Sequence, residues 1–384
     1  MDYRGILLIS GVLVLLICAT IVVEYTRRRR SGVDAGTLAT FKSRVNAWWL
    51  LFGSLICALL LGTIATVVLF GAISFWALRE YVTLTPTRPA DHRTLVGVFF
   101  ILTPLQFVLV GLDSEWFVEF FHVEPYFVFS SLIPSLAFLI LPATVAASGD
   151  PKYFLERIAK LQVGLLICVY SLSFAPALLT MDLPNSKPTA TAAEIVAIDF
   201  EEKVFKPIEE SVVAMQNESK EKSEGLQESL DEPQASVGEI YSPRKRLDAA
   251  NLTLLFTFVL LTQISDVAQY LWSLAFSRRK IAPYVNSSKT VVGVILGALT
   301  TSLVAVGLWY FTPFTHWLEA AFAGLIISAM GFAGNMTTSA IKRDQGIGSY
   351  GALVEGRNGV LDRVDSLCFA APVFFHYVRV CVQA

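Results

Sequence analysis

"AWWLLFGSLICALLLGTIATVVLFGAISFWAL", residues 47–78, runs 32 residues without a charged side chain. At 1.5 Å per residue one helix over it would measure about 48 Å, against roughly 30 Å of bilayer hydrocarbon. Either the stretch is one steeply tilted crossing, or it crosses twice with a turn near Gly62. The choice sets the sidedness of every segment that follows.

Loop charge decides it. The cluster Arg27–Arg30, with Lys42 and Arg44, places the segment after the first apolar run in the cytoplasm by the positive-inside tendency. Two crossings through 47–78 then bring the basic segments 87–93, 150–160, 277–289 and 339–367 to that same side. The acidic segment 112–124 falls on the other. A single crossing would reverse each of these placements. The sequence therefore predicts a hairpin here, within an all-α, polytopic integral membrane protein of about nine or ten transmembrane helices.

The composition agrees. Of 384 residues 54% are hydrophobic and 16% charged, where soluble chains carry about 25% charge, and the mean hydropathy is +0.58. Further apolar runs fall at 5–23, 95–112, 126–147, 161–181, 252–264, 291–314, 320–340 and 366–378. Most approach the length of a crossing helix, the economical answer where lipid offers no partner for an unpaired peptide group. They lack the polar stripes of soluble core helices. The first run is long for a signal peptide, and its basic cluster follows it, so it reads as a retained span. The cysteines 18, 57, 168, 368 and 381, and the histidines 92, 122, 316 and 376, have no paired or ligand spacing. This argues against a disulfide framework or a zinc centre.

Three regions emerge: N-terminal membrane helices (1–181), an insertion (182–249) and a C-terminal membrane region (250–384). The insertion holds 15 acidic and 8 basic residues, net −7, against +5 for the remainder. Low hydrophobicity with net charge predicts disorder or partial helix, on the outer side by the topology above.

Chemistry-bearing residues gather in the last region. In "QISDVAQY" (263–270), Asp266 sits close to a membrane boundary. It is either a metal or substrate contact, or an edge acid pairing with Arg278 or Arg279. In "RRKIAPYVNSSKT" (278–290), Lys289 and Thr290 stand at the mouth of a new helix, where phosphate can be held. In "SAIKRDQGIGSYGALVEGRNGVLDRVDSL" (339–367), Asp362 and Asp365 are three apart. A helix would put both carboxylates on one face near its N-terminus, suited to Mg²⁺ shared with substrate phosphates. Lys342, Arg343 and Arg363 supply charge for phosphoryl oxygens. Glycines 346, 348, 351, 356 and 359 allow close backbone approach. A solvated connector with a capped helix explains Asp362 and Arg363 but not the glycines.

The 339–367 segment resembles the C-terminal signature of phosphatidate cytidylyltransferases: Ser-x-x-Lys-Arg, four residues, Lys-Asp, a His-Gly-Gly turn, then Asp-Arg-x-Asp. The resemblance reaches back through "SDVAQY" and "KIAPYVNSSKTVVG" over residues 250–384. "FWALREYVTLTPTRPADHR" is similar to a divergent bacterial branch of that family. It implies a multi-helix enzyme with a polar, cytoplasm-facing cavity in a bacterial inner membrane, joining CTP and phosphatidic acid into CDP-diacylglycerol and pyrophosphate. It also implies Mg²⁺ with room for a second cation, membrane lipid as partner, no nucleic acid, and pairing as a homodimer. By the resemblance Asp362, Asp365, Lys342 and Arg343 are catalytic, with Asp362 and Asp266 as metal ligands. Ser339, Arg363, Lys289, Thr290, Gly359 and Tyr270 contact substrate. The sequence departs from the pattern at Gly334-Asn335 (for Gly-Asp), Gly348-Ser349 (for Lys-Asp), Arg357-Asn358 (for His-Gly) and residues 286–293, which lack one Lys and the Glu. These departures keep a second reading in view: a catalytically impaired relative that binds lipid or a partner.

Overall fold

Gly62 settles the opening question. In the computed structural model it carries φ of +111°, a conformation only glycine adopts without strain. It separates α2 (Ala35–Leu61) from α3 (Thr63–Leu84). Its N–H closes the last turn of α2 on the Ala58 carbonyl at 3.0 Å, and its own carbonyl opens α3 by accepting from Thr66 N at 3.2 Å. One residue thus serves both helix ends, its N–H closing the first and its carbonyl opening the second. The far ends of the pair lie at one face. Phe41 of α2 packs edge-on against Tyr270 at 5.7 Å, and Glu80 of α3 reaches the backbone at Val360 and Leu361. The predicted hairpin is present.

The structure describes residues 3–28, 35–84, 88, 91–112, 122, 125–181, 183, 249–276, 279–347 and 359–383. The acidic insertion, most of the 27–30 basic cluster, Arg278, and the glycine-rich centre of the 339–367 loop with Ser349, Arg357 and Asn358 lie outside them. The remaining helices are α1 (Tyr3–Arg28), α4 (His92–Gly111), α5 (Pro125–Ala147), α6 (Phe154–Ala177), α7 (Ala249–Ala275), α8 (Val291–Gly307), α9 (Trp317–Asp344) and α10 (Leu361–Gln383). Among the described residues nine of the ten are long and apolar enough to cross a membrane, and α8, at 17 residues, is the short one. The helices before and after the insertion pack as one unit.

Helices α4, α5 and α6 each contain a wide π-helical segment, at Val98–Leu102, Leu132–Ala137 and Leu166–Ser171. The first precedes Pro104 and the second contains Pro134, residues that remove a ladder hydrogen bond. On the face shared with the outer ends of α2 and α3, Arg157 at the start of α6 grips Asp91 beside α4, with Nε to Oδ2 at 2.8 Å. Its Nη1 donates to the Asp150 carbonyl at 2.7 Å. Arg88 pairs with the Asp150 carboxylate at 2.8 Å and, with a backbone N–H, holds that carboxyl below the usual range. The basic loops 87–93 and 150–160 are therefore tied together on one side, as the charge pattern predicts.

The all-helical architecture carries one small addition. Residues Lys280–Ala282 (β1) and Asn286–Thr290 (β2) form an antiparallel hairpin, the sole sheet among the described residues. Its turn, Pro283-Tyr284-Val285, projects outward, with Tyr284 94% exposed. The hairpin delivers Lys289 and Thr290 directly into α8.

Candidate active site

Small residues let the C-terminal helices approach closely enough for short polar side chains to meet. A Cβ on Gly334 of α9 would lie 2.6 Å from the Asp365 carbonyl of α10. One on Gly297 of α8 would lie 2.5 Å from the Gln269 side chain of α7. Both glycines are required by close contact rather than by conformation.

Where α7, α9 and α10 converge, Asp266 accepts from Asn335 Nδ2 at 2.9 Å on Oδ1 and from Ser366 Oγ at 2.7 Å on Oδ2. Asn335 also donates to Ser366 Oγ at 2.6 Å. One residue away along α10, Asp365 accepts from Thr338 Oγ1 at 3.0 Å and from the backbone N–H of Ser366 at 2.8 Å. The Ser366 hydroxyl lies within 3.5 Å of the Asp365 carboxylate as well, so Ser366 stands between the two acids. A turn away, Asp362, its side chain 3% exposed, pairs with Lys342 Nζ at 2.8 Å. Asp362 and Asp365 meet Lys342 and Thr338, themselves four apart on α9. The three-residue spacing thus turns both carboxylates toward one neighbour.

One turn along α7 from Asp266, Lys289 is buried and donates to Gln269 Oε1 at 2.8 Å. The Gln269 amide donates in turn to Ser265 Oγ at 3.1 Å and to Ser328 Oγ at 3.0 Å. Burial pushes the Lys289 ammonium below its ordinary 10.5, while the Asp266 and Asp365 carboxylates pull it back up. The lysine therefore lies within the field of both acids.

The other singled-out residues fall around this cluster. Thr290 caps α8, its Oγ1 accepting from Gly293 N at 3.1 Å. Ser339 accepts from Asn286 Nδ2 at 3.1 Å, and Arg343 Nε lies 3.5 Å from the Val285 carbonyl; both join α9 to the β-hairpin. Tyr270 lies under the Arg44 guanidinium, 4.7 Å from ring centroid to Cζ. Gly359 is buried just ahead of α10, and Arg363 is half-buried in its first turn. Asp266 is half-buried and hydrogen-bonds Asn335 and Ser366. The structure thus brings Asp266, Asp365, Asp362, Lys342 and Lys289 to one end of the bundle. Sequence reasoning missed Gln269, Ser265, Ser328, Thr338 and Ser366. The signal for Gln269 and Ser265 was present: polar residues four apart inside an otherwise apolar helix.

The donor set suits a hard divalent cation in one way. Among the described residues Asp266 and Asp365 take hydrogen bonds from neutral donors only, so neither carboxyl is bonded to a cationic side chain. It is a sparse set, for no group of three or more His, Cys, Asp or Glu side chains among the described residues could hold a metal. Mg²⁺ accepts one or two carboxylates when substrate phosphates complete its shell, so the pair fits on those terms.

Residues 42–381 match the cytidylyltransferase family. The chain belongs to that family. It is similar along nearly its whole length to "Uncharacterized protein YnbB" of Escherichia coli, with 29% identity over 371 residues, 96% of each chain. The phosphatidate cytidylyltransferase of Synechocystis is 34% identical over 116 residues, 30% of this chain and 39% of the relative. That of Haemophilus influenzae is 35% identical over 129 residues, 32% of this chain and 44% of the relative. The chain thus aligns with less than half the length of the relatives that carry an enzyme's name.

Proposed function

We propose that this cytidylyltransferase-family chain transfers the CMP group of CTP to phosphatidic acid, giving CDP-diacylglycerol and pyrophosphate. The observation that carries the reading is the meeting of Asp266 and Asp365 with Lys289 and the Asp362–Lys342 pair, at helix ends next to the basic loops. Both substrates are polyanions, and the main barrier to their reaction is mutual repulsion. A lipid phosphate oxygen forms a bond to the α-phosphorus of CTP, while the bond from that phosphorus to the bridging oxygen breaks and pyrophosphate leaves. Lys289 and Lys342 offset the charge of the phosphates, and the packed helices hold the reactants in line. Asp266 and Asp365 would hold Mg²⁺, which when bound supplies charge neutralisation for the phosphoryl oxygens. The basic loops on the site's face support a cytoplasm-facing site in a bacterial inner membrane, on the side where CTP is present.

Purified protein with phosphatidic acid, radiolabelled CTP and Mg²⁺ tests this. Lipid-linked CMP is expected, and Asp365→Asn and Asp266→Asn should abolish it. A wild-type chain that forms none with any divalent ion, yet binds the lipid, overturns the reading. That result would favour a non-catalytic, lipid-binding relative, a reading supported by Asn335. There a neutral amide stands in a place where the family signature has a carboxylate, and it is already committed to Asp266 and Ser366.

A further inference from the structure

Helix α10 carries Asp362, Asp365 and Ser366 in its first two turns, yet its own sequence provides no cap. The Val360 carbonyl accepts the first helical bonds, from Arg363 N at 3.0 Å and Val364 N at 3.2 Å, which makes Val360 the N-cap residue. Valine has no acceptor for the orphaned N–H groups and ranks among the poorest caps. The preceding residue, Gly359, adds none either. A helix start of this kind frays unless another segment satisfies it.

The missing acceptor comes from a different part of the chain. Glu80, near the end of α3, places Oε1 3.0 Å from Val360 N and Oε2 2.9 Å from Leu361 N. Glu80 is 8% exposed and Leu361 1% exposed, so the contact is shielded from water. Each oxygen takes one N–H, and the negative charge sits at the positive end of the α10 dipole.

We infer that Glu80 is a positioning residue for the proposed reaction: its carboxylate clamps the start of α10 and thereby fixes where Asp362 meets Lys342 and where Asp365 stands beside Asp266. Glu80 does not touch the reacting atoms. It makes the placement of the C-terminal acids depend on the N-terminal α2–α3 hairpin, and it gives a task to the buried glutamate near the end of an apolar helix.

The inference rests on the proposed reaction for its effect on rate, but the clamp itself is read independently. Hydrogen–deuterium exchange at residues 360–363 is compared in full-length wild type, Glu80→Ala, Glu80→Gln, and Glu80→Ala combined with Val360→Asp, which gives α10 its own cap. Glu80→Ala should speed exchange there by about 10-fold or more, with the amides of α7 and α9 unchanged. The added cap should restore protection. In the CTP assay kcat should fall by roughly 10- to 100-fold, with KM for CTP within about 3-fold of wild type, and should recover in the double variant. Should Glu80→Ala loosen every helix, Glu80→Gln decides, since it keeps the volume and one acceptor but places an NH₂ against a backbone N–H. Unchanged exchange at 360–363, or a frayed first turn with unchanged kcat, overturns the inference. A wild-type chain that makes no lipid-linked CMP overturns the reaction instead, and the exchange comparison alone then judges the clamp.

Discussion

Three aspartates near one another hold unequal positions. Asp362 is already balanced by Lys342, whereas Asp266 and Asp365 share a serine and neutral donors. Asp365→Asn and Asp266→Asn should therefore reduce Mn²⁺ binding, read by electron paramagnetic resonance, and lower turnover by about 100-fold or more. Asp362→Asn should leave Mn²⁺ binding near wild type while freeing Lys342 and changing KM for CTP. Lys289 gives a pH test. Its pKa in the folded chain lies below 10.5, so the ammonium is lost at a lower pH than from an exposed lysine. CTP affinity should weaken as pH rises through that lowered value, and Lys289→Arg, which stays charged, should flatten the profile. The same shift makes stability rise with pH between the folded value and 10.5, because the unfolded chain holds the extra proton there. The acids and lysines of this site were legible as charged residues at the ends of apolar runs. Ser366 and Thr338 were not, since a lone hydroxyl in a helix usually bonds its own backbone, and only the packing of α10 against α9 and α7 gives these two another task.

At the scale of elements, glycine governs how closely helices approach. Gly334→Val should force α9 from α10, because its first side-chain carbon would sit 2.6 Å from the Asp365 carbonyl. The expected loss is about 1–3 kcal/mol of stability, seen as earlier thermal unfolding in detergent, together with loss of Mg²⁺-dependent activity. Gly334→Ala should show the same at smaller amplitude. The break at Gly62 was readable because 47–78 is too long for one crossing and the loop charges agree only with two. The β-hairpin was not. "KIAPYVNSSKT" is short, and a pair of three- and five-residue strands is marginal alone. It persists here because α8 follows directly and Asn286 bonds Ser339 of α9. Glu80 was equally hidden: a glutamate in "REY" gives no hint that its partner is an uncapped helix 280 residues later.

For the whole molecule, the described basic loops and the site share one face, tied laterally by the buried Arg157–Asp91 pair and its Asp150 extension. Tyr284, at the tip of the β-hairpin, is the natural reporter of which face this is. With native cysteines replaced, Tyr284→Cys should react with a membrane-impermeant maleimide in inside-out vesicles and stay unlabelled in intact cells. Labelling from the cell exterior would reverse the assigned sidedness for every segment at once. The α2–α3 connection bears on how the chain is made. Only Gly62 joins the two helices, and beside it Leu60, Leu61 and Ile64 point outward, 66–76% exposed. With no polar loop between them, the two crossings are expected to insert as one helical hairpin, and a polar tether introduced at Gly62 should let each insert separately.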